Sequence, residues 1–114
     1  PGVRLVNCAF WGPANHNAVL KGKGFVSFND CYFSNWKKGS EEMPLVVVQS
    51  GRVQINNSSF ATEQPSVELG EQAQHAIIGG NNGIKGVRVI DRTKRAIIQN
   101  NEEPATPNEE ETKK

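Results

Sequence analysis

Three glutamates, a histidine and two tryptophans are the side chains of this 114-residue sequence best suited to chemistry. Two carboxyl groups held about 5 to 9.5 Å apart across a glycosidic bond can hydrolyse it. The pairing that fits is Glu68 with Glu41 or Glu42. Histidine titrates near neutrality, which makes His16 the candidate general acid or base, although a loop histidine is more often a hydrogen-bonded surface residue. Trp11 and Trp36 sit in segments that also hold His16, Lys37, Lys38, Glu41 and Glu42. A flat indole beside charged hydrogen-bonding groups suits the apolar face and hydroxyl edge of a sugar ring. Trp11, Trp36, Lys37, Lys38 and Arg88 are therefore the candidate ligand contacts. Two plainer readings stand beside these. The indoles can fold back over neighbouring phenylalanines as satellite core, and Glu68 with Arg88 reads equally as a cross-strand ion pair.

These residues are positioned by a repeat. The pattern Val3-Arg4-Leu5-Val6-Asn7-Cys8-Ala9-Phe10 returns as Val26-Ser27-Phe28-Asn29-Asp30-Cys31-Tyr32-Phe33 and as Val53-Gln54-Ile55-Asn56-Asn57-Ser58-Ser59-Phe60. It continues more weakly through Ile78 and Ile98. The anchors Leu5, Phe28, Ile55, Ile78 and Ile98 are 23, 27, 23 and 20 positions apart. Short strands recurring at such a period, with no helical pattern between them, predict an all-β parallel solenoid of four to five coils. Two residues after each anchor come Asn7, Asp30, Asn57, Gly80 and Asn100. Asn and Asp tolerate left-handed backbone angles, so this column is predicted to turn a tight corner, with side-chain amides bonding along the axis. Cys8, Cys31, Ser58, Asn81 and Asn101 form the next column, and Phe10, Phe33 and Phe60 are predicted to stack.

A second strand is expected between successive anchors. Counting back from each repeat puts Val19, Val46, Leu69 and Val89, with Asn17, Pro44, Val67 and Val87, on the inner face. Ala18, Leu20, Leu45, Val47, Glu68, Arg88 and Ile90 then point outward. Such an outer face is apolar enough to call for a cover, supplied by loops or by a second copy. The variable insertions, 11–16, 34–43, 61–65 and 84–86, all fall just after the phenylalanine column and so form one rim.

The Val-x-Ile-x-Asn-x-x-Phe units resemble those of right-handed parallel β-helix proteins of the pectate-lyase-like superfamily, over residues 2 to about 101. That family includes polysaccharide lyases, glycoside hydrolases, epimerases and phage tailspikes, so the resemblance implies the architecture more sharply than an activity. It implies a secreted or cell-surface setting, a polysaccharide partner and a substrate path beside the rim loops. The acidic clusters of the family's lyases and the paired-aspartate and Gly-His-Gly motifs of its polygalacturonases are missing here. Any catalytic centre of a lyase or glycosidase is accordingly expected on coils upstream of Pro1. The alternative the resemblance offers is a structural, oligomerising shaft of the tailspike or adhesin type.

Composition fits one unit, with residues 1–101 as solenoid and residues 102–114, rich in Glu and lacking an apolar period, as a disordered polar tail. The tail carries −3 (two Lys against five Glu) and the remainder +4 (eleven Lys and Arg against seven Asp and Glu). Arg88, Arg92, Lys94 and Arg95 are the main cationic cluster, read as solvated surface; no nucleic-acid partner is expected. No apolar stretch approaches a membrane span. Cys8 and Cys31 occupy equivalent places one coil apart, with side chains in parallel, and are read as free thiols. The sequons in 56–59 fall at an inward corner and are read as coincidental. No metal or cofactor motif is present.

Overall fold

β-branched and aromatic residues alternate with polar ones in short runs throughout the chain, and in this computed structural model each run is a strand. The structure describes residues 2–38 and 42–104. Its strands are β1 (Gly2–Val6), β2 (Ala9–Phe10), β3 (Ala18–Leu20), β4 (Phe25–Asn29), β5 (Tyr32–Ser34), β6 (Val46–Asn56), β7 (Ser59–Ala61), β8 (Val67–Gly79), β9 (Asn82–Gly83), β10 (Val89–Asp91) and β11 (Ile97–Gln99). Every strand pair is parallel, and no helix occurs among the described residues. The chain is a parallel β-solenoid of about four turns.

Each coil contributes to three walls. The first holds β3, β10 and the opening residues of β6 and β8; the second holds β1, β4, β11 and the closing residues of β6 and β8. The third is the separate sheet β2-β5-β7-β9. The anchors stack in the predicted register, Leu5 on Phe28, Phe28 on Ile55, Ile55 on Ile78 and Ile78 on Ile98. Phe28, Ile55 and Ile78 are buried to 1% exposure or less.

The corner between the second and third walls turns where the sequence places it. Asn7, Asp30, Asn57 and Asn100 have φ of 53°, 55°, 53° and 59°, and Gly80 completes the column at 69°. These left-handed residues point outward and are exposed. The axial bonding is therefore carried by the next column, whose side chains enter the interior. Asn81 Oδ1 accepts from Ser58 N at 2.8 Å, and Asn81 Nδ2 donates to Asn101 Oδ1 at 2.9 Å and to the Ile55 carbonyl at 3.0 Å. Asn101 Nδ2 donates to the Ile78 carbonyl at 2.9 Å, and Ser58 Oγ accepts from Cys31 N at 3.1 Å. One side chain per coil thus satisfies backbone groups of its neighbours that are closed to water. Cys8 and Cys31 continue the column as free thiols, Cys31 buried. Beside it, Phe10, Phe33 and Phe60 stack with centroids 4.9 Å apart and planes within 8° of parallel.

The first wall keeps the expected facing in its later coils, with Val46, Val67, Leu69 and Val89 inward and Val47, Glu68 and Ile90 outward, and departs from it in the first coil and at Leu45. Ala18 lies beside Val46, Val46 beside Val67, and Val67 beside Val89; Leu20, Val48, Leu69 and Asp91 form the companion column. Both columns face inward. Val19 points outward with 45% exposure, whereas Leu20 and Leu45 are buried. Counting back from the next repeat assumed a constant corner, but the corner spans 21–25 in one coil, 49–52 in the next, then 70–75 and 92–95, with bulges between β6 and β8. A slip of one residue turns a strand over. The outer face is left with Val19, Val47, Glu68, Arg88 and Ile90, since Leu20 and Leu45 are buried.

The ladder also runs past residue 101. Glu102 N donates to the Asn81 carbonyl, the Glu102 carbonyl accepts from Val87 N, and Glu102 Oε1 accepts from Gly83 N. The expected polar tail from residue 105 onward lies outside the described residues.

Candidate functional site

The rim is built from the segments that join the third wall to the first. Asn35, 5% exposed, ties its two longest loops together. Its Oδ1 accepts from Ala14 N at 3.2 Å and from Lys37 N at 3.1 Å, and its Nδ2 donates to the Ala14 carbonyl at 2.8 Å. Asn35 N bonds in turn to the Ala61 carbonyl. Lys37 Nζ reaches Asn15 Oδ1, and Met43 N donates to Gln64 Oε1 at 3.0 Å. A single buried amide thus fixes both tryptophan-bearing loops relative to the sheet. Repeat alignment overlooked Asn35 because it falls after the last aligned residue.

Trp11 and Trp36 meet edge to face, with centroids 6.3 Å apart and planes at 88°. They are 71% and 55% exposed and pack on each other, so they do not fold back over the phenylalanine column as satellite core. Beside Trp36 lies a groove of about 500 Å³, within the usual range of ligand clefts. Lys37, Lys38, Thr62, Gln64 and Ile84 line it, with Asn35 and Glu63. The rim therefore joins two exposed indoles to amide, hydroxyl and ammonium groups over neighbouring coils.

The remaining candidates lie apart from that groove lining. His16 Nδ1 donates to the Pro44 carbonyl at 2.6 Å, a bond that fastens one rim loop to the coil beneath. Glu68 and Arg88 do not pair. The first-wall register sets Glu68 opposite Ile90, and Glu68 Oε2 accepts from Arg92 Nε at 3.0 Å. Arg88 instead pairs with Glu42 at 3.0 Å. Each carboxylate of the proposed Glu68–Glu42 couple is thus engaged by its own arginine, while Glu41 lies outside the described residues. No group of three His, Cys, Asp or Glu side chains among the described residues converges on a point that could hold a metal ion. No helix among them is long and apolar enough to cross a membrane.

Among the described residues the one carboxyl with a clear shift, Asp91, belongs to a distant corner. Burial raises its pKa, but hydrogen bonds from the Thr93 hydroxyl and from the backbone of Thr93, Lys94 and Ala96 outweigh burial and hold it below the ordinary aspartate value. Comparison with protein-family models, with curated proteins and with solved structures finds no match for this chain.

Proposed function

We propose that this solenoid is a carbohydrate-binding segment, of the kind the pectate-lyase-like resemblance implies, and that its rim takes a polysaccharide or glycan. The observation that carries the reading is the pair of exposed indoles beside a polar groove. Two large aromatic side chains left in water on firmly tied loops cost solvation that folding does not recover, and such exposure marks contact surfaces. Trp36 offers a stacking face for a sugar ring, Trp11 stands as a wall at right angles to it, and Lys37, Lys38, Thr62 and Gln64 offer donors and acceptors to hydroxyl groups. Catalysis, if the parent protein is a lyase or glycosidase, belongs to other coils, since the two Glu carboxylates named for it are each held in an ion pair.

Affinity electrophoresis through gels containing neutral polysaccharides tests the reading. Trp36→Ala and Trp11→Ala are expected to abolish retardation while leaving the unfolding midpoint within a few degrees of the parent chain. Retardation unchanged in both variants would overturn the binding role.

The alternative, an oligomerising shaft, is favoured by exposed apolar side chains on β1 and β11 rather than by the outer wall. Val3 and Val6 on β1 are 53% and 59% exposed, and Ile97 and Ile98 on β11 are 44% and 41% exposed. Exposed apolar strand residues of this kind mark surfaces suited to self-association. Molar mass by light scattering separates the readings: a monomer favours the glycan-binding module, and a concentration-dependent assembly favours the shaft.

A further inference from the structure

The charge surplus of the solenoid is concentrated on one corner, and the corner is remote from the rim. The segments joining the first wall to the second stack coil upon coil. Gly22 N donates to Ser50 Oγ, Arg52 N to the Gly24 carbonyl, Arg95 Nη2 to the Ala73 carbonyl, and Arg92 N to the Leu69 carbonyl. The layers pack tightly: a Cβ at Gly51, whose φ is 87°, would stand 3.0 Å from the carbonyl oxygens of both Gly22 and Gly24. This stack carries Lys21, Lys23, Arg52, Arg92, Lys94 and Arg95, all exposed. Against those six cations stand Glu71, Glu68, which is paired with Arg92, and Asp91, which is occupied by the 93–96 turn. The rest of residues 1–101 holds five cations and four carboxylates, close to balance. Among the described residues only Arg92 of the six has an ion-pair partner. His75, exposed, lies beside Arg52 on the same line.

We infer that this corner is a second binding surface, for a linear polysaccharide bearing sulfate or carboxylate groups. The cations come from the first, second and fourth coils of one row of stacked corners, with Glu71 and His75 supplied by the third, and the row spans about 14 Å at roughly 4.8 Å per strand step. A line fits an extended polyanionic chain rather than a lipid surface. Arginine forks and lysine ammonium groups bind sulfate and carboxylate oxygens directly, and among the described residues Arg52 and Lys94 have no carboxylate within ion-pair distance to release first. Nucleic acid fits less well. Single strands are held by aromatic platforms interleaved with cations, and the exposed aromatic rings, Trp11, Tyr32 and Trp36, are all on other parts of the surface. Duplex phosphates step by about 3.4 Å along each strand, out of register with the coil spacing. The inference is independent of the tryptophan rim.

The test is retention of the whole chain on immobilised heparin and hyaluronan, with a DNA duplex as competitor. Heparin stands for sulfate and hyaluronan for carboxylate. The parent chain is expected to bind at least one of the two glycans with strong salt dependence. The triple variant Lys21→Glu, Lys23→Glu, Arg52→Glu, exposed at every position, is expected to lose about tenfold or more in affinity with an unchanged circular dichroism spectrum. Trp11→Ala, Trp36→Ala is expected to keep full affinity for the same glycan. Binding that survives the charge reversal, binding lost in the tryptophan variant instead, a DNA duplex that competes as well as the free glycan, or no binding by the parent chain would each overturn the inference.

Discussion

Asn81→Ala removes the side chain on which three coils converge. Asn81 is 3% exposed, and its amide makes bonds of 2.8, 3.0 and 2.9 Å to Ser58 N, the Ile55 carbonyl and Asn101 Oδ1. Truncation leaves Ser58 N with no other partner at a residue that is fully buried. A buried donor left unsatisfied costs about 1 to 3 kcal/mol, and each of the other two bonds contributes about 1 kcal/mol. The sum is about 3 to 5 kcal/mol, a large fraction of the roughly 5 to 15 kcal/mol that stabilises a domain. Urea titration followed by circular dichroism should show the midpoint falling sharply with an unchanged slope. Asn57→Gly is the control, because glycine adopts the same left-handed angle and the Asn57 side chain is exposed. A loss below about 1 kcal/mol for Asn81→Ala, or an equal loss for the control, would refute the claim that the inward amide column holds the coils together.

Three further outcomes follow from the same geometry. Phe33, fully buried between Phe10 and Phe60, should lose about 3 to 5 kcal/mol on replacement by Ala, and Phe10, stacked on one side only, should lose less in the same denaturation assay. Because Asp91 is held below its ordinary pKa, its contribution is present above the unfolded aspartate value and is lost as pH falls through the lower folded value. Asp91→Asn should therefore flatten the decline of stability between pH 5 and pH 2 relative to the parent chain, as read from thermal midpoints. Asn35→Ala should release both rim loops and weaken glycan binding without any direct contact to the sugar, and Asn35→Asp should only partly restore it because the donor to the Ala14 carbonyl is missing.

The anchors and the asparagine corner were legible because both are set by short-range rules. An apolar residue two positions before a left-handed Asn or Asp fixes both the buried face and the turn, whatever the length of the coil. The first wall was legible in the facing of its later coils, where Val46, Val67, Leu69 and Val89 point inward as read, but not in its register, which depends on a corner that changes length from coil to coil, with bulges at 48–50 and 51–52 absorbing the difference. A one-residue slip in the first coil placed Leu20 outside, and a two-residue shift between the last coils set Arg88 beside Glu68 where the structure sets it beside Ser66. The axial amide bonds were expected one column early, since a left-handed residue turns its own side chain outward and sends the next one in. The rim was legible as a place but not as a surface: whether Trp11 and Trp36 face water depends on Asn35, whose bonds cross 21 positions of sequence.

The central claim is that the indoles of the rim touch sugar, and Trp11 and Trp36 are the two tryptophans of the chain, so tryptophan emission, excited apart from Tyr32, reports on that surface alone. Titration with soluble oligosaccharides drawn from the polysaccharides that retard the protein is expected to give a saturable blue shift, as a ring stacks on Trp36 and excludes water. An emission spectrum that stays unchanged while the oligosaccharide demonstrably binds would contradict the account.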